Sequence, residues 1–313
     1  MTLAHDELLR ASPGRDCAVT VGVFDGVHRG HLHLIGELRE QAQEKGLAAG
    51  IVTLHPAPMV VLKPGSVMTY LTSLEERIEL LRASGVDFVA PLTFTSEVAQ
   101  LSARRFAELM VEALGLKLVI MGPDHAFGRG REGTPAYMSQ VGREMSFQVE
   151  LFSEPLTNGG QVVSSTAVRA ALEGGDMEKV AALLGRRFSV RGPVVEGARR
   201  GKSIGFPTAN VGLAPDRALP PFGVYVTRAY MGEADYRSVT NIGRRPTFEP
   251  SGFAAPTVEV YLMDYDSDDF YGRELRVEFL LRLRDEKRFS GVDELAAQIK
   301  RDVAAADVLL GRE

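Results

Sequence analysis

An α/β domain followed by a β domain, the class α/β + β, is what this sequence predicts, on three observations. Short apolar runs of strand type alternate with helical patterns in the first part of the chain, the rhythm then changes to strands separated only by turns, and an amphipathic helix closes the chain. At 313 residues the chain is about twice the length of one ordinary domain, so two cores are expected. The change of rhythm places them at 1–185 and 186–313, joined near Gly185 to Phe188.

In the first part, strand-like runs at Ala18 to Phe24, Ala49 to Leu54 and Phe88 to Phe94 alternate with helical patterns at Leu32 to Glu44 and Leu74 to Ala83. This βαβ rhythm is that of a parallel sheet. Arg104 to Leu114 reads as helix, Leu118 to Met121 and Phe147 to Phe152 as strands around a glycine-rich stretch, and Ala167 to Leu184 as a helical pair. In the second part, Val224 to Tyr230, Ser238 to Ile242, Thr257 to Leu262 and Leu275 to Leu283 are strands of an antiparallel domain. The last puts Leu275, Val277, Phe279, Leu281 and Leu283 on one face, a period of two. A final helix is predicted with Ser290 as N-cap, a stripe of Leu295, Ile299, Val303 and Leu310, and Gly311 as its stop.

Composition narrows the function classes. Net charge is −5, divided as −6 up to Gly185 and +1 after it, so neither half reads as a nucleic-acid binder. Cys17 is the only cysteine, which excludes an intrachain disulfide and a cysteine-rich metal site and fits a reducing cytoplasm. The N-terminus carries His5, Asp6 and Glu7 where a signal peptide needs an apolar core, and no apolar run reaches membrane-spanning length. A soluble, untargeted cytoplasmic protein with neither nucleic acid nor membrane as partner is what composition leads one to expect, and a monomer or weak homo-oligomer is the expected state.

The first constellation follows the first strand: Gly22-Val23-Phe24-Asp25-Gly26-Val27-His28-Arg29-Gly30-His31, with a helix beginning behind it. Glycines where a helix starts let exposed amides and the positive end of the helix dipole meet an anion closely, so phosphate binding is the natural use. His28 and His31, three apart, share a face and can both donate to phosphate oxygens. Zinc is the rival use of the pair, and no third ligand is near in sequence. At the far end of the domain, Val163-Ser164-Ser165-Thr166-Ala167-Val168-Arg169 reads as a hydroxyl cluster that caps the next helix, a role compatible with phosphate binding. Gly128-Arg129-Gly130-Arg131-Glu132-Gly133 satisfies G-x-G-x-x-G, but the first βα turn, where a dinucleotide fingerprint belongs, is already occupied, so it reads as a mobile loop.

The second constellation is Gly192 to Asn210. Gly197 precedes Gly201-Lys202-Ser203 with one residue too few for a P-loop, and the context is β. Thr208 and Asn210 project to one face of an extended backbone and offer two neutral oxygens to a hard cation such as magnesium. Glu259, alternating with Val258 and Val260, reads by itself as an outward-facing strand residue.

The G-x-F-D-G-V-H-x-G-H motif resembles the nucleotide-binding signature of bacterial bifunctional riboflavin kinase/FMN adenylyltransferases, within the wider H-x-G-H nucleotidyltransferases. Residues 163–169 are similar to the family's I-S-S-T-x-x-R segment, and Leu71 to Arg77, by itself an ordinary capped helix start, also looks like a family segment. The run Gly205-Phe206-Pro207-Thr208-Ala209-Asn210 resembles the riboflavin kinase signature, and Gly223-Val224-Tyr225, Asn241 to Phe248, Thr257 to Leu262, Phe270-Tyr271-Gly272 and Arg288-Phe289 follow in the family's order. The resemblance covers nearly the whole chain.

It implies a Rossmann-like nucleotidyltransferase domain with a parallel sheet, then an antiparallel β-barrel with a terminal helix. It further implies ATP and Mg2+ as cofactors and riboflavin, FMN and FAD as substrates and products. ATP and its phosphates would be held by Gly22, Phe24, Asp25, Gly26, Gly30, Ser164, Ser165, Thr166 and Arg169 in the first domain, with His28 and His31 in catalysis. Gly197, Gly201, Gly205 and Pro207 would bind them in the second, with Thr208 and Asn210 on the metal and Glu259 as base. Flavin would be positioned by Asp124, Phe127, Asn241 and Arg288.

The chain departs from the family where relatives read T-F-D-P-H-P and this chain has Thr53-Leu54-His55-Pro56-Ala57-Pro58, and where G-E-D-F-x-F-G becomes Gly122-Pro123-Asp124-His125-Ala126-Phe127-Gly128. Those departures motivate an alternative, a riboflavin kinase whose first domain is degenerate. A flavin-binding sensor without turnover is a third reading, opposed by Thr208, Asn210 and Glu259.

Overall fold

A computed structural model describes residues 2–152, 154–197, 205–244, 256–265 and 270–311. Packing divides the chain into two compact units, 1–165 and 166–313.

The first unit is a doubly wound α/β sheet. β1 (Cys17–Gly22), β2 (Ala48–His55), β3 (Phe88–Thr93), β4 (Leu116–Met121) and β5 (Gln148–Leu151) lie in the order β3-β2-β1-β4-β5, and every neighbouring pair is parallel. Parallel strands need crossovers, and helices supply them. α2 (Arg29–Glu44) and α4 (Leu74–Ala83) cover one face, while α1 (Leu3–Arg10), α6 (Ala103–Leu114) and α7 (Pro135–Met145) cover the other. β1 shows why: Cys17, Val19 and Val21 enter the core under α6, and Ala18 enters the core under α2. α1, α7 and the five-residue helices α3 (Pro58–Leu62) and α5 (Ser96–Gln100) are absent from the sequence expectation.

Residues 128–133, expected as a mobile loop, are pinned instead. Arg129 N–H donates to the Leu101 carbonyl at 2.7 Å, Phe127 pairs with Gly133, and the Glu132 carboxylate accepts the Ala103 N–H at 2.8 Å at the start of α6. Gly128 (φ 77°) lies so close to that helix that a Cβ would meet Ala103 N at 2.5 Å.

A short antiparallel pair, β6 (Thr157–Asn158) and β7 (Gln161–Val162), falls near the end of the first unit. The second unit holds α8 (Ser165–Glu173, whose first residue belongs to the first unit), α9 (Met177–Leu184) and a barrel. Its strands are β8 (Phe188–Val195), β9 (Thr208–Val211), β10 (Gly223–Met231), β11 (Ala234–Arg244), β12 (Pro256–Leu262) and β13 (Glu274–Asp285). They close in the order β10-β11-β12-β9-β8-β13, with antiparallel neighbours throughout. α9 packs on β13 and β8.

Two sequence expectations are corrected here. The alternation predicted along β13 fails after Phe279: the register with β10 shifts at Val224/Tyr225 and again at Val226/Thr227. Each bulge inserts an extra residue, so Leu275, Val277 and Phe279 are buried but Leu281 is exposed, while Leu280 and Leu283 pack under the terminal helix. That helix, Val292–Leu310, is capped by Gly291, and Ser290 lies one residue outside it. The Ser290 N–H and hydroxyl both donate to Glu294, at 3.0 and 2.8 Å. Its most buried positions are Asp302, Ala306 and Leu310, with Val303 partly buried beside them; Asp302 is ion-paired with Arg284 of β13 at 2.7 Å.

Candidate active sites

The first site forms at the carboxyl end of β1. In an open parallel sheet of this order, β1 and β4 flank the point where the winding reverses, and the crevice beyond their carboxyl ends is the place for a ligand. The chain leaves β1 through a tight loop with positive φ at Phe24 (53°), Gly26 (83°) and Val27 (39°). His28 then caps α2, its Nδ1 accepting the His31 N–H at 3.2 Å. That acceptor role leaves the proton of neutral His28 on Nε2, the nitrogen suited to donate to an anion.

The His31 ring stacks on His28 and sits 5.0 Å from Phe24. Burial foremost, then the His28 and Arg77 charges, hold the His31 imidazole well below its ordinary value, so it is neutral near pH 7. Its buried Nδ1 has no hydrogen-bond partner among the described residues. The structure therefore places a stacked imidazole pair at the positive end of α2, with His31 held against protonation.

Glycines fit the loop to its neighbours. A Cβ on Gly22 would sit 3.0 Å from the Phe24 ring, and one on Gly30 would sit 2.6 Å from the Val163 carbonyl. Gly30 thus lets the 163–165 segment approach the start of α2, and the Ser165 hydroxyl donates to the Asp25 carbonyl at 2.9 Å. Ser164 lies between them, while Thr166 and Arg169 are on α8 in the second unit.

Asp25, expected at the phosphate site, is engaged by donors of the protein itself. Its buried carboxylate accepts from the Leu71 and Thr72 amides at 3.1 and 3.2 Å, from the Thr72 hydroxyl at 3.2 Å and from Arg77 at 3.5 Å. An anion engaged in this way organises the loop. Thr72 and Arg77 lie in the 71–77 segment, which the sequence marks as a capped helix start similar to a family segment but to which it assigns no part in the site. The available signal was Arg77 four residues before Leu81, on the apolar stripe of α4, where an arginine is ordinarily read as exposed.

The two departures from the family pattern are accommodated locally. Ala57 is buried, its N–H donating to the Tyr70 hydroxyl at 2.8 Å, and the His55 ring lies 5.2 Å from Tyr70. Beyond β4, burial and the Arg131 charge lower the His125 imidazole. Exposed Asp124 gives its carbonyl to Arg131 at 2.8 Å, and Phe127 is buried with its ring 5.4 Å from Phe106.

The second site is built by strand register. Asn241 of β11 is paired with Glu259 of β12, and Glu259 with Asn210 of β9. Directly paired residues share a face, so these three side chains form one row across three strands. Thr208, two residues from Asn210 and paired with Tyr261, belongs to the same face. The alternate positions Ala209, Val260 and Thr240 are buried inside the barrel, and the polar row is half-buried on its outside.

The Gly197 backbone lies against the row, where a Cβ would meet Asn210 Nδ2 at 2.1 Å. A Cβ on Gly243 would meet Glu286 Oε1 at 2.7 Å and Asn241 Nδ2 at 3.1 Å, and the Phe206 ring packs 5.3 Å from that of Tyr261. Gly205 takes φ 82° and Pro207 leads into β9. Gly201 lies outside the described residues, and Arg288 is exposed in the connection from β13 to the terminal helix.

The donor chemistry suits magnesium bound with a nucleotide. Thr208 and Asn210 supply neutral hard oxygens, and no cluster of three histidine, cysteine or acidic side chains capable of holding a metal occurs among the described residues. A site that relies on substrate phosphates for its remaining ligands is the usual one for Mg2+.

The comparisons with known proteins agree with this division. The family described as FAD synthetase matches residues 11–167, and the one described as riboflavin kinase matches residues 184–310. The bifunctional riboflavin kinase/FMN adenylyltransferase of Escherichia coli (strain K12) is 37% identical over 305 residues, 97% of this chain and 96% of that protein. The chain belongs to the bifunctional riboflavin kinase/FMN adenylyltransferase family.

Another member, from Bacillus subtilis (strain 168), is 35% identical over 96% of this chain and 94% of its own. A crystal structure described as a macrolide-efflux protein from Streptococcus pneumoniae superposes with a TM-score of 0.84 at 29% identity, covering 96% of each chain. Among the described residues here, no helix is long and apolar enough to cross a membrane.

Proposed function

We propose that this chain makes flavin cofactors by two ATP-dependent transfers, phosphorylation of riboflavin to FMN in the barrel and adenylylation of FMN to FAD in the parallel-sheet domain, with residues 186–313 and 1–185 as the functional divisions. The observation that carries the reading is the row Asn210–Glu259–Asn241, which the register assembles from three separate strands.

In the first transfer the Glu259 carboxylate takes the proton of the riboflavin 5′-hydroxyl as that oxygen attacks the γ-phosphorus of ATP, and ADP leaves. Magnesium on Thr208 and Asn210 would draw charge from the phosphates. Gly197, Gly205 and Pro207 support the nucleotide by close backbone approach, and Asn241 and Arg288 position the flavin.

In the second transfer an FMN phosphate oxygen attacks the α-phosphorus of ATP, the bond to the bridging oxygen breaks, and pyrophosphate leaves. No protein nucleophile is needed, only positioning and charge stabilisation. His28 donates from Nε2, His31 lies stacked on it, and the amide end of α2 adds its dipole. Gly22, Phe24, Gly26, Gly30, Ser164 and Ser165 shape the phosphate loop. Thr166 and Arg169 enter as phosphate ligands on their motif alone. Asp124 positions flavin, and Phe127 braces its loop from the core. A cytoplasmic location fits the ATP that both reactions consume.

The test is chromatographic. Purified protein with ATP and Mg2+ is given riboflavin in one reaction and FMN in another, and FMN and FAD are followed with time. FAD in both is the expected result. FMN accumulating without FAD would leave only the kinase, and no product would overturn the reading.

A further inference from the structure

We propose that Arg77 is a positioning residue of the adenylyl-transfer site, which acts through the buried carboxylate of Asp25 to fix the loop that presents His28 and His31. The inference rests on the function proposed above and adds a residue outside the histidine motif of residues 22–31.

The loop is strained. Phe24 and Val27 are non-glycine residues at positive φ, 53° and 39°, and Val27 is β-branched, the residue type least suited to that region. Such a conformation persists only where its surroundings over-determine it. Local bonding supplies one tie, from the Val27 N–H to the Phe24 carbonyl at 3.1 Å. The Ser165 hydroxyl holds the Asp25 carbonyl at 2.9 Å, and residues 71–77 add further ties: Gly26 N–H donates to the Thr72 hydroxyl at 3.1 Å, and that hydroxyl donates to Asp25 Oδ1 at 3.2 Å.

Arg77 completes the clamp from below. The capping box of Ser73 and Glu76 starts α4 and sets Arg77 one turn further on. Its side chain is fully buried. There Nη2 donates to Asp25 Oδ1 and Nη1 to the Leu54 carbonyl of β2, both at 3.5 Å, and the guanidinium lies 5.5 Å from the Tyr70 ring centre. One cation thus ties the phosphate loop to a sheet strand and to the start of α4. A fork with two donors can do this, and an ammonium point charge cannot.

The same charge reaches the catalytic pair. The titratable and charged groups acting on His31 are His28, stacked on it, and Arg77, and both disfavour its protonation. Arg77 therefore has two effects at one place, on the loop's shape and on the state of an imidazole.

The experiment compares wild type with Arg77→Lys, Arg77→Met and Thr72→Val. Thr72→Val removes the hydroxyl shared by Asp25 and Gly26 and leaves no buried charge unpaired, so it remains informative if Arg77→Met does not fold. FAD formation from FMN, FMN formation from riboflavin, thermal melting, and the His31 ring resonance against pH are measured on each. A misplacement of the loop by about 1 Å is expected to lower the kcat of FAD formation about 100-fold. The KM for FMN and the kinase rate should stay near wild type, Arg77→Lys should recover only part of the rate, and His31 should titrate at higher pH in Arg77→Met than in wild type. Folded Arg77→Met and Thr72→Val with wild-type kcat, or an unmoved His31 titration, would overturn the inference. Failure of the wild type itself to make FAD would instead overturn the underlying reading.

Discussion

The imidazole rings of His28 and His31 are stacked, with centroids 3.6 Å apart and planes 19° from parallel, and His28 Nδ1 accepts the His31 amide hydrogen. Two rings this close disfavour a double positive charge, so an arriving phosphate meets a pair that can gain a proton as negative charge accumulates. His28→Ala should lower FAD formation from FMN about 100- to 1,000-fold, the range for one donor to a developing oxyanion. FMN formation by the same preparation should be unchanged; loss of both would sink the division of labour.

The depressed His31 also predicts a pH dependence of stability. Below about pH 6.5 the unfolded chain takes up a proton that the folded imidazole refuses, so the unfolded state binds more protons and stability falls as pH falls. The slope from this group is up to about 1.4 kcal/mol per pH unit, continuing down to the folded value, and its contribution is fully present above pH 6.5. His31→Gln should therefore flatten the decline in melting temperature between pH 6.5 and 5. An equally steep decline in the variant would refute the assignment.

Glu259→Gln keeps the shape of the row with Asn210 and Asn241 but removes the proton acceptor. The kcat of FMN formation should drop by about 100- to 10,000-fold, while FAD formation from supplied FMN persists. Steady-state rates for the two half-reactions decide it.

Thr208→Val removes one of the two neutral oxygens offered to magnesium while leaving a β-branched residue in β9. A magnesium titration of the kinase rate should shift to higher concentration, with the maximal rate partly recovered. If the requirement stays where it was, Thr208 is not a ligand.

Gly30→Ala places a methyl 2.6 Å from the Val163 carbonyl and 3.1 Å from His28 Nδ1. Something must move, at an expected cost of about 1–3 kcal/mol, visible in thermal melting. Because the displaced groups are the histidine loop and the 163–165 segment, FAD formation should fall more than FMN formation.

Much of the fold is legible in the residues because burial repeats with simple periods. β1 and β2 are continuous apolar runs, and α4 runs Leu74–Ala83 where its periodicity places it. β13 was only half legible. Its alternation holds through Phe279, and two bulges set by pairing with β10 then turn Leu281 outward. A bulge depends on the partner strand, so no count along one strand reveals it. α7 begins behind Thr134 at Pro135, directly after the glycine-rich loop, and its signal was hidden by those glycines.

The sites divide in the same way. The histidine turn, the hydroxyl cluster and the Thr208–Asn210 pair announce themselves because their chemistry is local to a few consecutive residues. Glu259 by itself is one strand glutamate among several, and only its pairing with Asn210 and Asn241 distinguishes it. Asp25 has the opposite history: the motif suggests a phosphate ligand, and burial beside Thr72 and Arg77 gives its carboxylate to the loop.

The sequence alone determined the class of each domain, the phosphate turn at the head of α2 and the oxygen pair on β9, because each depends on periodicity or on neighbours within a few positions. Tertiary structure alone decided the register that aligns Asn210, Glu259 and Asn241, and the burial that makes Arg77 a counter-ion of Asp25 from 52 residues away. Both are relations between distant segments, and they exist only once the backbone has closed and water has been excluded.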